Sequence, residues 1–170
     1  SFHLPSIVNS PFAPNLERKK HKKAIFIGRH TAAKGAHLLV KVDDILYKQG
    51  IALEWVLITA GTYEEQIRNQ NLAWARHSER VSIMENVSNA LIFSQLEAST
   101  FFILPSTAEG FPVSLIEAFS QGCVPVVFPY GLDVTNQLPR AFHGNIINER
   151  TADGIAACIE RIFTGSSLKQ

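Results

Sequence analysis

Two stretches of this 170-residue sequence combine fixed charges with turn-forming residues. The first reads Gly28-Arg29-His30-Thr31-Ala32-Ala33-Lys34-Gly35. Arg can grip a phosphate with two parallel N–H bonds, and Lys serves as a point charge. Gly28 allows a sharp backbone turn, and Gly35 lets the next helix start close to a bulky group. The second runs from Pro105 to Phe119 and holds Glu109 and Glu117, eight positions apart. Pro112 suits a helix start, where free backbone N–H groups can receive an anion or sugar oxygens. Glu117 stands among Leu115, Ile116, Ala118 and Phe119. A carboxylate in apolar company needs a partner, and vicinal ribose hydroxyls would satisfy both its oxygens. Read one at a time, these charges are equally those of an ordinary loop or an exposed helix face.

The elements that must carry these loops follow from hydrophobic patterning. Residues 24–27, 101–104 and 124–128 are short continuous apolar runs, the pattern of strands buried on both faces. Residues 53–58 and 81–84 are expected as further strands, and 145–147 as a sixth. Helices are expected over 36–49, ending at Gly50, and over 62–77, opened by a Thr62/Glu65 capping box. Others are expected over 89–97 with Ser88 as cap, about 112–121, and 152–163. Strand and helix alternate, which predicts an α/β chain with a Rossmann-like, doubly wound parallel sheet of about six strands. In such a sheet the ligand lies beyond the carboxyl ends of the strands, at the switch in strand order. Both charged stretches follow strands and fall at that edge. The domain is expected over 24–163, with 1–23 as a linker or N-terminal extension and 164–170 as a tail.

Composition narrows the chemistry. Hydrophobic residues make up 46% and charged residues 18%, enough apolar material for one core and too much for disorder. No apolar run reaches the length needed to span a bilayer. Residues 1–15 lack the pattern of a signal peptide. Cys123 and Cys158 form no C-x-x-C pair and read as reduced, buried thiols, which makes a cytoplasmic location the expectation. The six histidines show no zinc-ligand spacing, so no metal is expected. The first stretch is neither G-x-G-x-x-G nor a P-loop, which excludes the usual dinucleotide dehydrogenase and nucleoside triphosphatase patterns. The first 50 residues carry nine Lys/Arg against three acids, and the remainder seven against twelve. Much of that excess is the run Arg18-Lys19-Lys20-His21-Lys22-Lys23. Such a run can touch nucleic acid or an anionic membrane, but it reads first as a solvated linker. No aromatic residues interleave with it, so a nucleic-acid partner is not expected.

The segment from Glu109 through Glu117 to Gly122-Cys123-Val124-Pro125-Val126 resembles the E-x7-E signature of the family 4 retaining glycosyltransferases. Leu104-Pro105-Ser106 before it, and Gly28-Arg29 with Lys34-Gly35, are similar to the same family's motifs. The resemblance covers about residues 24–163. It implies one half of a GT-B enzyme, the C-terminal, nucleotide-sugar-binding domain. An acceptor, sugar or lipid-linked, would then be bound by a missing N-terminal domain. The chain also lacks an initiator Met, as a piece of a longer protein would. By resemblance, Arg29 and Lys34 hold the donor diphosphate, with Gly28 and Gly35 shaping that loop, and Glu117 holds the ribose. Glu109, with Gly110, Phe111, Pro112 and Val113, faces the donor sugar, Glu109 being the catalytic candidate. The base is expected near the loop at residues 85–87. Catalysis of this type is metal-independent, so no cofactor is implied, and the isolated domain is expected to bind nucleotide but turn over poorly.

The chain departs from the family pattern at Thr59-Ala60-Gly61, where Gly-x-Gly is usual, and at Glu85, where Gly is usual. Tyr130-Gly131-Leu132-Asp133-Val134 replaces a Gly-Gly-x-x-Glu stretch. Two rivals stand beside the transferase reading. One is a GT-B relative such as a nucleotide-sugar epimerase or phosphorylase, the other a non-catalytic nucleotide-sugar-binding module. Contact of the full-length protein with the inner face of the membrane stays open.

Overall fold

A computed structural model describes residues 22–109, 112–130, 138 and 140–167. Five strands form one parallel sheet: β1 (Lys23–Ile27), β2 (Glu54–Thr59), β3 (Val81–Glu85), β4 (Phe101–Leu104) and β5 (Val124–Val127), in the order β3-β2-β1-β4-β5. The helices are α1 (Leu39–Lys48), α2 (Glu65–His77), α3 (Asn89–Ala98), α4 (Val113–Ser120) and α5 (Ala152–Ser167). The chain moves outward from β1 to β3, then returns to lay β4 against the other side of β1. The switch point therefore lies between β1 and β4, and the loops that follow those two strands meet there.

Side chains alternate across the pleat into two apolar layers. Phe26, Leu57 and Ile103 pack on one face with Leu46 and Ile159. Ile25, Val56 and Phe102 pack on the other with Leu96 and Leu115. Both faces are covered, which is why β1 after Lys23, and β4 and β5 throughout, read as unbroken apolar runs.

Several local expectations change. The sixth strand reduces to a single parallel bridge between Ile146 and Val127, because a 3-10 segment, Arg140–Asn145, runs directly into it. Residues 36–49 begin as a 3-10 turn, Ala36–Leu38, before α1. Thr62 does not cap α2: Glu64 holds the cap position without a side-chain cap bond, and the Thr62 hydroxyl accepts from Arg29. Pro112 occupies the cap of α4 rather than its first turn. Ser88 caps α3 as expected, accepting from the Leu91 N–H. α5 runs to Ser167, so residues 164–167 are helix rather than tail. In the basic run, residues 18–21 lie outside the described residues. Lys22 sits over the Phe163 ring, and Lys23 begins β1 and donates to Gln95, so these two belong to the domain and not to a linker.

Candidate functional site

The loops after β1 and β4 are joined along their length. The Thr107 N–H donates to the Ala33 carbonyl at 2.9 Å, and the Thr107 hydroxyl reaches the same oxygen at 3.3 Å. Gly35 holds the junction. Its φ is +71°, and a Cβ there would stand 2.3 Å from the Pro105 carbonyl oxygen. The bulky neighbour that requires Gly35 is thus the β4 loop itself. Gly28 is required for space rather than for a left-handed turn, since a Cβ would meet the Phe26 ring at 2.9 Å.

The charged residues are distributed around this junction. The Arg29 side chain is exposed at the rim, donating to Thr62 at 3.2 Å. Lys34 is paired with Glu109, Nζ to Oε1 2.6 Å, with side chains 21% and 11% exposed. Sequence spacing of 75 positions hid this pair; strand order creates it. Glu117 lies one turn inside α4, half-buried, and no group among the described residues hydrogen-bonds its carboxylate. Pro112 is buried at the α4 cap and Val113 exposed beside it. Gly110 and Phe111 lie outside the described residues, as does the altered loop beyond Tyr130. Tyr130 is buried, and its hydroxyl pKa is pushed up to about 12 by burial and by the Glu109 charge.

Sequence reasoning passed over a second group of residues. His30 is fully buried, yet neither ring nitrogen has a hydrogen-bond partner among the described residues. Burial holds its pKa below the ordinary 6.5, opposed by Glu85 and reinforced by Arg68. The Thr31 and Ser106 hydroxyls are likewise buried without a partner. Among the described residues five buried side-chain polar atoms lack one, and four of them belong to these two loops. Native folds satisfy nearly all such atoms, so their concentration in these two loops sets this edge apart from the rest of the described core. His30 also lines a cleft of about 110 Å³ with Thr59, Gly61, Arg68 and Glu85. The only sequence signal for it was a titratable residue in the loop three positions after the apolar run 24–27.

Among the described residues no three His, Cys, Asp or Glu side chains gather to hold a metal ion. None of the described helices is long and apolar enough to cross a membrane.

Residues 9–170 match the family model described as glycosyl transferases group 1. An uncharacterized glycosyltransferase of Haemophilus influenzae is 31% identical over 154 residues, covering 90% of this chain and 42% of that protein. The amylovoran biosynthesis glycosyltransferase AmsK of Erwinia amylovora is 26% identical over 151 residues, covering 85% and 37%. The chain thus spans less than half the length of these curated relatives. Among solved structures, the pneumococcal O-GlcNAc transferase GtfA, in complex with UDP and GlcNAc, superposes with a TM-score of 0.70. That match covers 89% of this chain and 30% of that one at 19% identity, a likeness of fold.

Proposed function

The chain belongs to the group 1 glycosyl transferases, and on that footing we propose that residues 24–163 form the donor-binding half of a retaining GT-B enzyme that uses a nucleotide-sugar. The observation that carries this reading is the junction at the switch point. It joins the loop that carries Arg29 and Lys34 to the loop that leads into α4, pairs Lys34 with Glu109 across them, and on these two loops lie most of the unpartnered buried polar atoms among the described residues. A nucleoside diphosphate needs cations for its phosphates, an acceptor pair for its ribose and N–H donors near the sugar. Arg29 and Lys34 supply the first, Glu117 the second and the free amides of α4 the third.

The chemistry asked of the site is breakage of the bond from the anomeric carbon to the diphosphate, with a new bond to an acceptor hydroxyl. Negative charge grows on the departing diphosphate, and cations fixed beside it stabilise the transition state more than the ground state. Glu109 faces the donor sugar in this reading and is its catalytic candidate. The relatives' printed names point to polysaccharide assembly, which makes a growing glycan the acceptor class we favour. Acceptor binding falls to the rest of a longer polypeptide, and the isolated domain binds donor with little turnover.

The test is product analysis. The full-length protein, supplied with UDP-, GDP- and ADP-sugars and a glycan acceptor, should release nucleoside diphosphate and form a glycoside whose anomeric proton signal matches the donor's configuration. An inverted product would overturn the retaining mechanism. A protein that neither binds nucleotide nor transfers sugar would overturn the reading as a whole.

A further inference from the structure

The loop after β1 is fastened at three points by the short segment that leads into α2. Gly61, at φ +77°, turns the chain just beyond β2, and Thr62, Tyr63 and Glu64 follow it. The Thr62 hydroxyl accepts from the Arg29 guanidinium at 3.2 Å. The Glu64 N–H donates to the His30 carbonyl at 2.8 Å, and the Glu64 carboxylate accepts from the Ala32 N–H at 2.9 Å. Glu64 holds the cap position of α2 in an extended conformation, φ −93° and ψ 121°, yet its side chain bonds no amide of its own helix. It reaches instead to a loop 32 positions earlier in the chain. The next loop residue, Ala33, is held through its carbonyl by Thr107 of the β4 loop. Adjacent residues of the β1 loop are thus fixed by different elements, immediately before Lys34.

We propose that Glu64 is a positioning residue for the donor diphosphate, acting through the β1 loop and not by touching the ligand. The inference rests on the nucleotide-sugar reading above and adds a residue to it. A loop already fixed when the ligand arrives has less conformational freedom to lose on binding. With Ala32 pinned by Glu64, the backbone between Arg29 and Lys34 is set before the phosphates meet either cation. A carboxylate is an unexpected choice here, because its negative charge opposes an anion bound to the same loop. Two features favour it nonetheless. It stands at the N-terminal end of α2, where the helix dipole stabilises an acid, and a charged acceptor holds an amide more strongly than a neutral one. Glu64 therefore acts on diphosphate binding in opposite senses: its hydrogen bond helps and its charge hinders. Substitution separates the two. Gln and Ala both lack the charge, and only Gln keeps an oxygen for the Ala32 N–H.

The experiment is calorimetric titration of the whole chain, as wild type, Glu64→Gln and Glu64→Ala, with UDP, GDP and ADP and with their parent nucleosides. Glu64 is exposed, and its backbone bond to His30 survives both substitutions, so both variants should fold. For the diphosphate that wild type binds best, Glu64→Gln should bind about three- to tenfold more tightly than Glu64→Ala, the factor that one hydrogen bond supplies. Glu64→Gln should also stay within about twofold of wild type or exceed it, since the opposing charge is gone. Nucleoside affinity should be the same in all three proteins, which a general loosening of the fold would not leave unchanged. Equal diphosphate affinity in Glu64→Gln and Glu64→Ala would overturn the role of Glu64 and leave the nucleotide reading intact. So would a Gln-to-Ala ratio that is as large for the nucleoside as for the diphosphate. Failure of every diphosphate to bind wild type would overturn both.

Discussion

Replacing Glu109 by Gln removes the charge that holds the Lys34 ammonium and leaves the loop junction otherwise in place. Two consequences follow in opposite directions. The pair is short, at 2.6 Å, and mostly shielded from water, so its loss lies above the value of an exposed ion pair. A hydrogen bond between charged groups contributes about 1.5–3 kcal/mol to stability. Glu109→Gln should therefore lower unfolding free energy by about 1–2 kcal/mol, since the amide still accepts from Lys34. Lys34→Ala should cost more, because it strands a carboxylate that is only 11% exposed. Binding moves differently. If Lys34 also grips the donor diphosphate, Glu109 competes with the phosphate for the same ammonium. Glu109→Gln should then tighten nucleoside diphosphate binding by roughly fivefold, corresponding to about 1 kcal/mol, whereas Lys34→Ala weakens it by a similar or larger factor. Calorimetry with a sugar-free nucleoside diphosphate separates this from any contact between Glu109 and the sugar. Equal weakening in both variants would refute the competition and make the pair a structural clasp.

Glu117→Gln should reduce discrimination between ribose and 2′-deoxyribose nucleotides, because the amide turns a donor toward hydroxyls placed to donate; an unchanged ratio by calorimetry would make Glu117 structural. Gly35→Ala should cost at least about 2 kcal/mol, from a left-handed backbone and a 2.3 Å approach to the Pro105 carbonyl. That corresponds to a fall in Tm of roughly 5 °C or more, and a Tm within a degree of wild type would contradict the packing described. Burial depresses the His30 pKa below its ordinary 6.5, so the unfolded chain takes up a proton that the fold resists. Stability from this group is complete above pH 6.5 and is lost as pH falls from there toward the lowered folded value. His30→Leu should flatten the decline in Tm between pH 7.5 and 5, and an equally steep decline in the variant would refute this source.

The strands were legible because residues 24–26 of β1 and all of β4 and β5 are buried between covered faces, which demands apolar side chains there. The charged loops were legible because Gly28 and Pro105 end those runs, and Gly35 and Pro112 stand just before the helices that follow. Where local rules failed, a distant partner had overridden them. Thr62 has the spacing of a capping box, but its hydroxyl is taken by Arg29, 33 positions away. The segment around Ile146 has strand composition but too little length after the 3-10 segment for more than one bridge. Lys34 read as a free phosphate ligand because nothing local shows that Glu109 stands against it. His30 carried no signal of its own. Its interest arises only when three strand ends converge and leave both its nitrogens buried without a partner.

The central claim is that the β1 and β4 loops together bind a nucleoside diphosphate through its phosphates. Isothermal titration of this chain with UDP, GDP and ADP, set against the parent nucleosides, tests it most directly, with Arg29→Ala as the comparison. Arg29 is exposed at the rim and its side chain's only hydrogen bond among the described residues is to Thr62, so the variant should fold normally. At least one diphosphate should bind saturably while its nucleoside binds far more weakly. Arg29→Ala should lose about tenfold or more of the diphosphate affinity and change nucleoside binding little. Equal affinity for nucleoside and diphosphate, or a variant that binds diphosphate as well as wild type, would contradict the claim.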